Sequence, residues 1–371
     1  MSDTRKTTKP NVPNLRFLGF SGEWASRRIG EDCTVNMCKR IFANQTSEQG
    51  DVPFFKIGTI GGTPDAYITR DLFEEYKAKY NYPHEGEVMI TCAGTVGKTI
   101  VFDGEDAYFQ DSNIVWLSNP KQLYINSFLN YVLSRVNWNI LNSTTITRIY
   151  NDNLRELVIN YPSIKEQEKI VALLSLLDRR IAIQNKVIEK YESLIKALAH
   201  EIIGKNAPNT MLSECVCCTS STLKESDLSD AGAVPAYGAA GISGFTDNAL
   251  SAGDSLLITK DGSGVGSLRY VSGPHSFVGT MNSMTPRDGF YLPYIYYALH
   301  NVSFETYRTG QAIPHIYFRD YGKERIFCPG YLDQKRIAIG LERIESKMLI
   351  ERYFKEHLLS VKAYLLNALF I

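Results

Sequence analysis

The sequence predicts an α+β protein built twice: two similar globular segments, each followed by a long helix. Three observations predict it. Matching elements recur 167 residues apart. Short strand-like runs alternate with turn residues in both halves. Two long stretches carry apolar residues at alternating spacings of four and three, the period of a coiled-coil seam.

The repeat is read first because it fixes everything else. Ile149-Tyr150 recurs as Ile316-Tyr317, Pro162 as Pro329, Gln167 as Gln334 and Ile170 as Ile337. Upstream, Gly86-Glu87 precedes Met89-Ile90-Thr91 and Gly94-Thr95-Val96-Gly97. The second copy has Gly253-Asp254, Leu257-Ile258-Thr259 and Gly262-Ser263-Gly264-Val265-Gly266. Strands are expected at 88–91, 100–102 and 114–117, and at 255–259 and 268–271. Helices are expected at 125–136 and 292–300. The glycine-rich elements fall between strands and read as tight hairpin turns.

Each globular segment gives way to a helix. The first runs from Pro162-Ser163 to Ile203-Gly204. Ser163 is a good N-cap with Glu166 three residues on, a capping box, and Gly204 a good residue just past the C-terminus. Its seam is Ile170, Leu174, Leu177, Ile181, Gln184, Ile188, Tyr191, Ile195, Leu198 and Ile202. The second runs from about 332 to 369. It opens on Ile337, Leu341, Ile344 and Met348, then drifts towards Phe354, Leu358, Val361 and Leu365. Each is roughly 55–60 Å long at 1.5 Å per residue. The short linkers favour antiparallel packing of the two helices, a spacer with one head at either end and a pseudo-twofold relation. The parts are 1–162, 163–204, 205–330 and 331–371.

Composition sets bounds. The chain has 371 residues, enough for two or three domains, and 44% are apolar, too many for a disordered chain. No apolar run reaches the ~18 residues of a membrane helix. The start is polar and basic, unlike a secretory signal. Seven cysteines without paired ligand spacing read as free thiols in a reducing cytoplasm, with no metal site. Net charge is zero. Residues 1–160 hold 17 basic and 18 acidic side chains, and residues 205–330 hold 9 and 11. Any contact with nucleic acid therefore depends on local charge and polar side chains rather than on a basic coat.

Catalytic signatures fail. The Asn/Asp-Pro-Pro-aromatic tetrapeptide of an amino-methyltransferase is absent. The stretch 91–99 imitates a phosphate-binding loop, but Cys92 stands where the first glycine is required. Pro64-Asp65 with Glu75-Tyr76-Lys77 imitates a nuclease constellation, yet 71–80 reads as a polar helix and the other copy lacks the pattern. The six histidines are scattered. No catalytic residue is assigned.

The layout resembles the specificity subunit of type I restriction-modification systems. The resemblance rests on the opening residues 10–24, with Gly22-Glu23-Trp24, and on the head elements at 52–58 and 234–242. It rests most on the twice-occurring Pro-x3-(Glu/Asp)-Gln-x-x-Ile pattern at Pro162 and Pro329. The second copy is looser, with Asp333 where the first has Glu166. The resemblance implies two target recognition domains, each reading half of a bipartite, asymmetric site in double-stranded DNA. It implies helices that set the gap and dock modification subunits, two by the two helical repeats, with restriction subunits joining through the assembled complex. It also implies a chain without catalysis or a cofactor of its own, S-adenosylmethionine and ATP belonging to partner subunits, in the cytoplasm. The candidate contact residues are Lys56, Thr59, Thr63, Lys98, Thr144, Thr145 and Arg148 in the first head. In the second they are Tyr237, Ser243, Lys260, Ser263, Arg269, Arg308, Gln311 and His315. The alternatives are a duplicated scaffold whose heads bind something other than DNA, and a self-contained nuclease or ATPase.

Overall fold

The computed structural model describes residues 10–138, 148–262, 264–310 and 313–371. They form two compact units, one of residues 1–182 with 356–371 and one of residues 183–355.

In the first unit a four-stranded antiparallel sheet has the order Thr34–Asn36, Ile114–Ser118, Val88–Thr91, Thr99–Val101. A three-stranded sheet has Val52–Phe55 at its centre, antiparallel to Tyr67–Ile68 and parallel to Tyr108–Phe109. Ala25–Arg28 pairs with Val158–Tyr161 and ties the start of the head to its end. The strand Val88–Thr91 is buried throughout because both its faces are covered. Met89, Ile114 and Trp116 point into the core shared with the three-stranded sheet. Val88, Ile90, Val115 and Leu117 point the other way, into a core with Leu129 and Leu133 of the helix Asn126–Ser134. Period-two alternation thus serves two cores at once.

The second unit repeats this topology strand for strand. Its four-stranded sheet is Val216–Ser220, Met281–Pro286, Ser255–Thr259, Leu268–Val271. Its three-stranded sheet is Gly241–Thr246, Val234–Gly238, Ser276–Phe277, and Thr210–Met211 closes onto Arg325–Ile326. The helix Leu292–Leu299 takes the place of Asn126–Ser134. The first head alone carries a polar helix between its sheets, Arg70–Lys79, capped by the Thr69 hydroxyl.

A pair of glutamines joins each head to its helix. Gln167, fully buried, donates to the carbonyls of Leu123 (2.9 Å) and Pro162 (3.0 Å) and accepts from the Ile125 N–H (2.8 Å). Gln334, its repeat equivalent, donates to Pro329 (2.8 Å) and Gly289 (3.5 Å) and accepts from Tyr291 N–H (2.9 Å). The three bonds place each glutamine where no apolar residue would satisfy the local backbone.

The long helices are Ile164–Ala199 and Tyr331–Leu369. Within each unit their segments run antiparallel. In the first, Ile170 and Leu174 pack with Leu369 and Phe370, and Lys362 pairs with Asp178. In the second, Ile188 and Ile195 share a core with Leu341 and Met348, and Arg352 bonds Glu192 at 2.6 Å. The N-terminal segment caps this arrangement in the first unit: Leu15 N–H bonds the Ala368 carbonyl, and Trp24 meets Phe370 edge-on.

Four local expectations change. The capping box does not form, because Arg16 engages both oxygens of Glu166 at 2.8 Å. Gly204 does not end its helix in a left-handed conformation; it lies in a terminal π-helical turn, His200–Gly204, and Lys205 caps it. It is glycine because a Cβ would lie 2.6 Å from the Asn301 side-chain oxygen. In that π turn the seam passes to Ala199 and Ile203, buried in place of Ile202, which stays 40% exposed. The hairpins are not tight: residues 92–98 and 260–267 form longer loops.

Candidate nucleic-acid interface

In each head three chain segments converge beside the four-stranded sheet. The first is the turn after the central strand of the smaller sheet, 56–62 or 239–240. The second is the loop 92–98 or 260–267. The third is the stretch from Arg148 to Tyr150, or from Ile313 to Tyr317. The convergence follows from matched backbone bonds. Ile149 N–H bonds the Cys92 carbonyl at 2.9 Å, and Ile316 N–H bonds the Lys260 carbonyl at 2.9 Å. Gly97 N–H returns to the Thr91 carbonyl as Gly266 does to Thr259. The loop glycines serve this packing. Gly97 has φ +81° and a Cβ there would lie 2.1 Å from Trp138; Gly266 has φ +84° and would meet Phe304 at 2.7 Å. Gly94, at φ +65°, lies against Ile57 of the neighbouring turn. They are conformational and steric glycines rather than a phosphate cradle.

In the first head Lys56, Thr59 and Lys98 come together. Thr59 accepts from the Lys56 N–H at 3.0 Å, Lys98 Nζ donates to the Ile60 carbonyl at 2.5 Å, and Lys56 pairs with Asp65 at 3.1 Å. Thr63 is exposed just beyond. Arg148 is half-buried, reaches the Ser112 carbonyl at 3.4 Å and lies over the Tyr150 ring. Thr144 and Thr145 lie outside the described residues. The nuclease-like acids are separately engaged, Asp65 by Lys56 and Glu75 by Lys79 at 2.8 Å.

In the second head the backbone after Lys260 is stitched to the segment around His315. Asp261 and His315 pair as an isolated antiparallel β-bridge, Gly262 N–H bonds the Pro314 carbonyl, and the His315 backbone exchanges bonds with that of Thr309, both at 2.9 Å. Arg308 is exposed and pairs with Glu305. Ser243 and Arg269 flank the Gly238–Gly241 turn on the smaller sheet. Tyr237 is half-buried, its ring edge-on to His275 beside a small core of Leu257 and Phe277. Ser263 and Gln311 lie outside the described residues.

Sequence reasoning missed a cleft of about 350 Å³ in the second head, lined by Lys260, Asn282, Tyr317 and Arg319 among others. A polar network forms its floor. Ser220 donates to the Asn282 side chain at 2.7 Å, and Asn282 donates to the buried Tyr321 hydroxyl at 3.2 Å. Burial raises the Cys218 thiol beside it to about 11. In the sequence, Lys260 and the repeated Ile-Tyr dipeptide pointed towards this region.

Among the described residues no three His, Cys, Asp or Glu side chains are grouped to hold a metal ion, and no helix is long and apolar enough to cross a membrane. All seven cysteines are free thiols. The surface offers polar and cationic loops beside the four-stranded sheet.

Comparison with known proteins gives this surface a context. Residues 21–193 match the family described as the type I restriction modification DNA specificity domain. A Haemophilus influenzae protein named as a type I restriction enzyme specificity subunit is 48% identical over 161 residues. The match spans 43% of this chain and 41% of that relative's length. The fold is similar to that of the crystallised S subunit of a type I restriction-modification system from M. genitalium. That likeness has TM-score 0.64 at 20% identity and covers 97% of this chain and 99% of the other. A structure described as showing complex assembly and conformational transition of the type I R-M system matches at TM-score 0.50 and 16% identity, covering 93% and 96%.

Proposed function

We infer, from the membership of residues 21–193 in the type I restriction modification DNA specificity domain family, that the whole chain is the DNA sequence-recognition subunit of a type I restriction-modification enzyme. Each globular head reads one half of a bipartite, asymmetric site in double-stranded DNA. The long helices set the gap and dock modification subunits, two of them by the two helical repeats. Restriction subunits join through the assembled complex. The chain is a non-catalytic component acting in the cytoplasm. S-adenosylmethionine and ATP bind the partner subunits, and this chain carries no cofactor.

One observation carries the reading: in both heads matched backbone bonds tie the loop after the central strand of the larger sheet to the Ile-Tyr segment, although the side chains there differ. Lys56, Thr59 and Lys98 gather in one head, and Lys260 meets the Ile316-Tyr317 segment in the other. A common frame with different side chains suits two heads that read different sequences. Near-neutral heads suit weak binding by the chain alone and stronger binding in the complex. A duplicated scaffold for a non-DNA partner has no observation in its favour.

The test is retention of duplex DNA by the chain assembled with its modification subunits. Retention that depends on sequence and weakens with salt is expected. Equal retention of all sequences, or none at low salt, rejects the reading.

A further inference from the structure

Tyr150 and Tyr317 are repeat equivalents, and both expose a large aromatic ring, 61% and 44% accessible. The backbone beneath each ring is tied on both sides. Each follows a buried isoleucine, Ile149 or Ile316, whose N–H is tied to the loop base at 2.9 Å. Each precedes a short helix that fixes its backbone from the other side. Tyr150 N–H bonds the Asn153 side chain at 2.8 Å, and the Tyr317 carbonyl accepts from Asp320 and Tyr321.

Each ring also carries a cation. Arg148 lies over Tyr150, its guanidinium 5.9 Å from the ring centroid. Arg319 lies over Tyr317 at 4.7 Å, with His315 edge-on at 5.1 Å. The arginine stands two residues before the tyrosine in one head and two residues after it in the other. The equivalent of Arg148 is His315, and the equivalent of Arg319 is Asp152, which pairs with Arg155. The two copies thus share the aromatic–cation pair while drawing the cation from opposite sides. Arg319 has one carboxylate near it, Asp320 at 3.6 Å.

We propose that Tyr150 and Tyr317 are the anchors by which the two heads seat on duplex DNA. Each ring packs against a sugar or base edge, and the arginine on it meets the adjacent phosphate. The inference rests on the DNA-recognition reading above and deepens it. A fixed, water-exposed ring offers contact area without an ordering cost, and a stacked guanidinium offers a phosphate a charge already in position. Contacts of this kind set register and orientation without reading sequence. That matches their place in the frame common to both heads.

The experiment uses the chain assembled with its modification subunits and a labelled duplex carrying the motif that the complex methylates. Tyr150→Ala and Tyr317→Ala should each weaken binding about tenfold, within the range for loss of an aromatic contact to a nucleotide. The double variant should weaken it about a hundredfold. Phenylalanine at either position should restore binding. Arg148→Ala and Arg319→Ala should each reduce the slope of log affinity against log salt by about one. The methylated motif should stay the same, and the thermal midpoint should remain within about 2 °C because both rings are exposed. Alanine variants that bind like the parent overturn the proposal while leaving DNA recognition standing. A parent complex with no preference for its motif overturns both.

Discussion

Gln184 and Glu351 stand 167 residues apart, at equivalent positions of the repeat, and bond each other. The Gln184 amide donates to the Glu351 backbone carbonyl at 3.2 Å and to its carboxylate. A residue that meets its own repeat equivalent lies on a local two-fold between antiparallel helix segments. Around it the second helix keeps the four-three spacing through Met348, Glu351, Lys355 and Leu358, with polar residues at seam positions, while Phe354 points outward.

A partly buried polar pair at a seam trades stability for register. Gln184→Ala should cost about 1 kcal/mol, leaving part of the Glu351 side unsatisfied. Replacing Gln184 and Glu351 together by leucine should raise the thermal midpoint above that of the parent chain. A midpoint below the single variant's would show that the pair stabilises outright. Thermal unfolding by circular dichroism gives the comparison.

The glutamine latches should matter more. Gln167→Ala and Gln334→Ala each remove three bonds and strand buried backbone groups, and each should cost about 3 kcal/mol. Because the two sites lie in separate units and share no partner, their effects should add within about 0.5 kcal/mol. Denaturant unfolding of both single variants and the double variant measures this.

Asp32 supplies a pH dependence. Its buried carboxylate accepts from the Tyr124 hydroxyl at 2.9 Å and from Lys121 and Arg27, both at 3.1 Å. Burial opposes the charge, but these donors outweigh it and hold the group below the usual carboxylate range. A lowered folded-state value contributes stability that is complete above about pH 4 and is lost as pH falls further. Asp32→Asn should cost about 2 kcal/mol at pH 7, given the exposed cations, and the gap from the parent should close towards pH 3. Unfolding followed from pH 3 to 7 tests this; a gap that widens in acid contradicts it.

The imitation motifs should prove silent in chemistry and loud in folding. Gly97→Ala forces a side chain into Trp138 at a positive φ and should destabilise the first head by several kcal/mol. Lys98→Ala and Glu75→Ala should leave methylation and ATP-dependent cleavage by the assembled complex intact at saturating DNA. Loss of turnover with normal DNA binding would restore the loop or the acids as catalytic groups.

Much of this was legible in the chain. The repeat set the equivalences, and strands 88–91, 255–259 and 268–271 fall where apolar runs and turn residues put them. What was hidden depends on partners distant in sequence. Glu166 looks like a cap until Arg16 arrives, and Gly204 looks like a helix end until Asn301 is packed against it. The cleft near Lys260 joins Ser220, Asn282 and Arg319 from three separated segments, and no local spacing encodes that meeting.

The central claim is that each head reads its own half of a DNA site. Exchanging residues 205–330 for the corresponding head of a relative, then mapping methylated adenines by single-molecule sequencing, tests it most directly. One half of the motif should change while the other half stays as in the parent. A change in both halves, or in neither, from a folded and active complex would contradict the account.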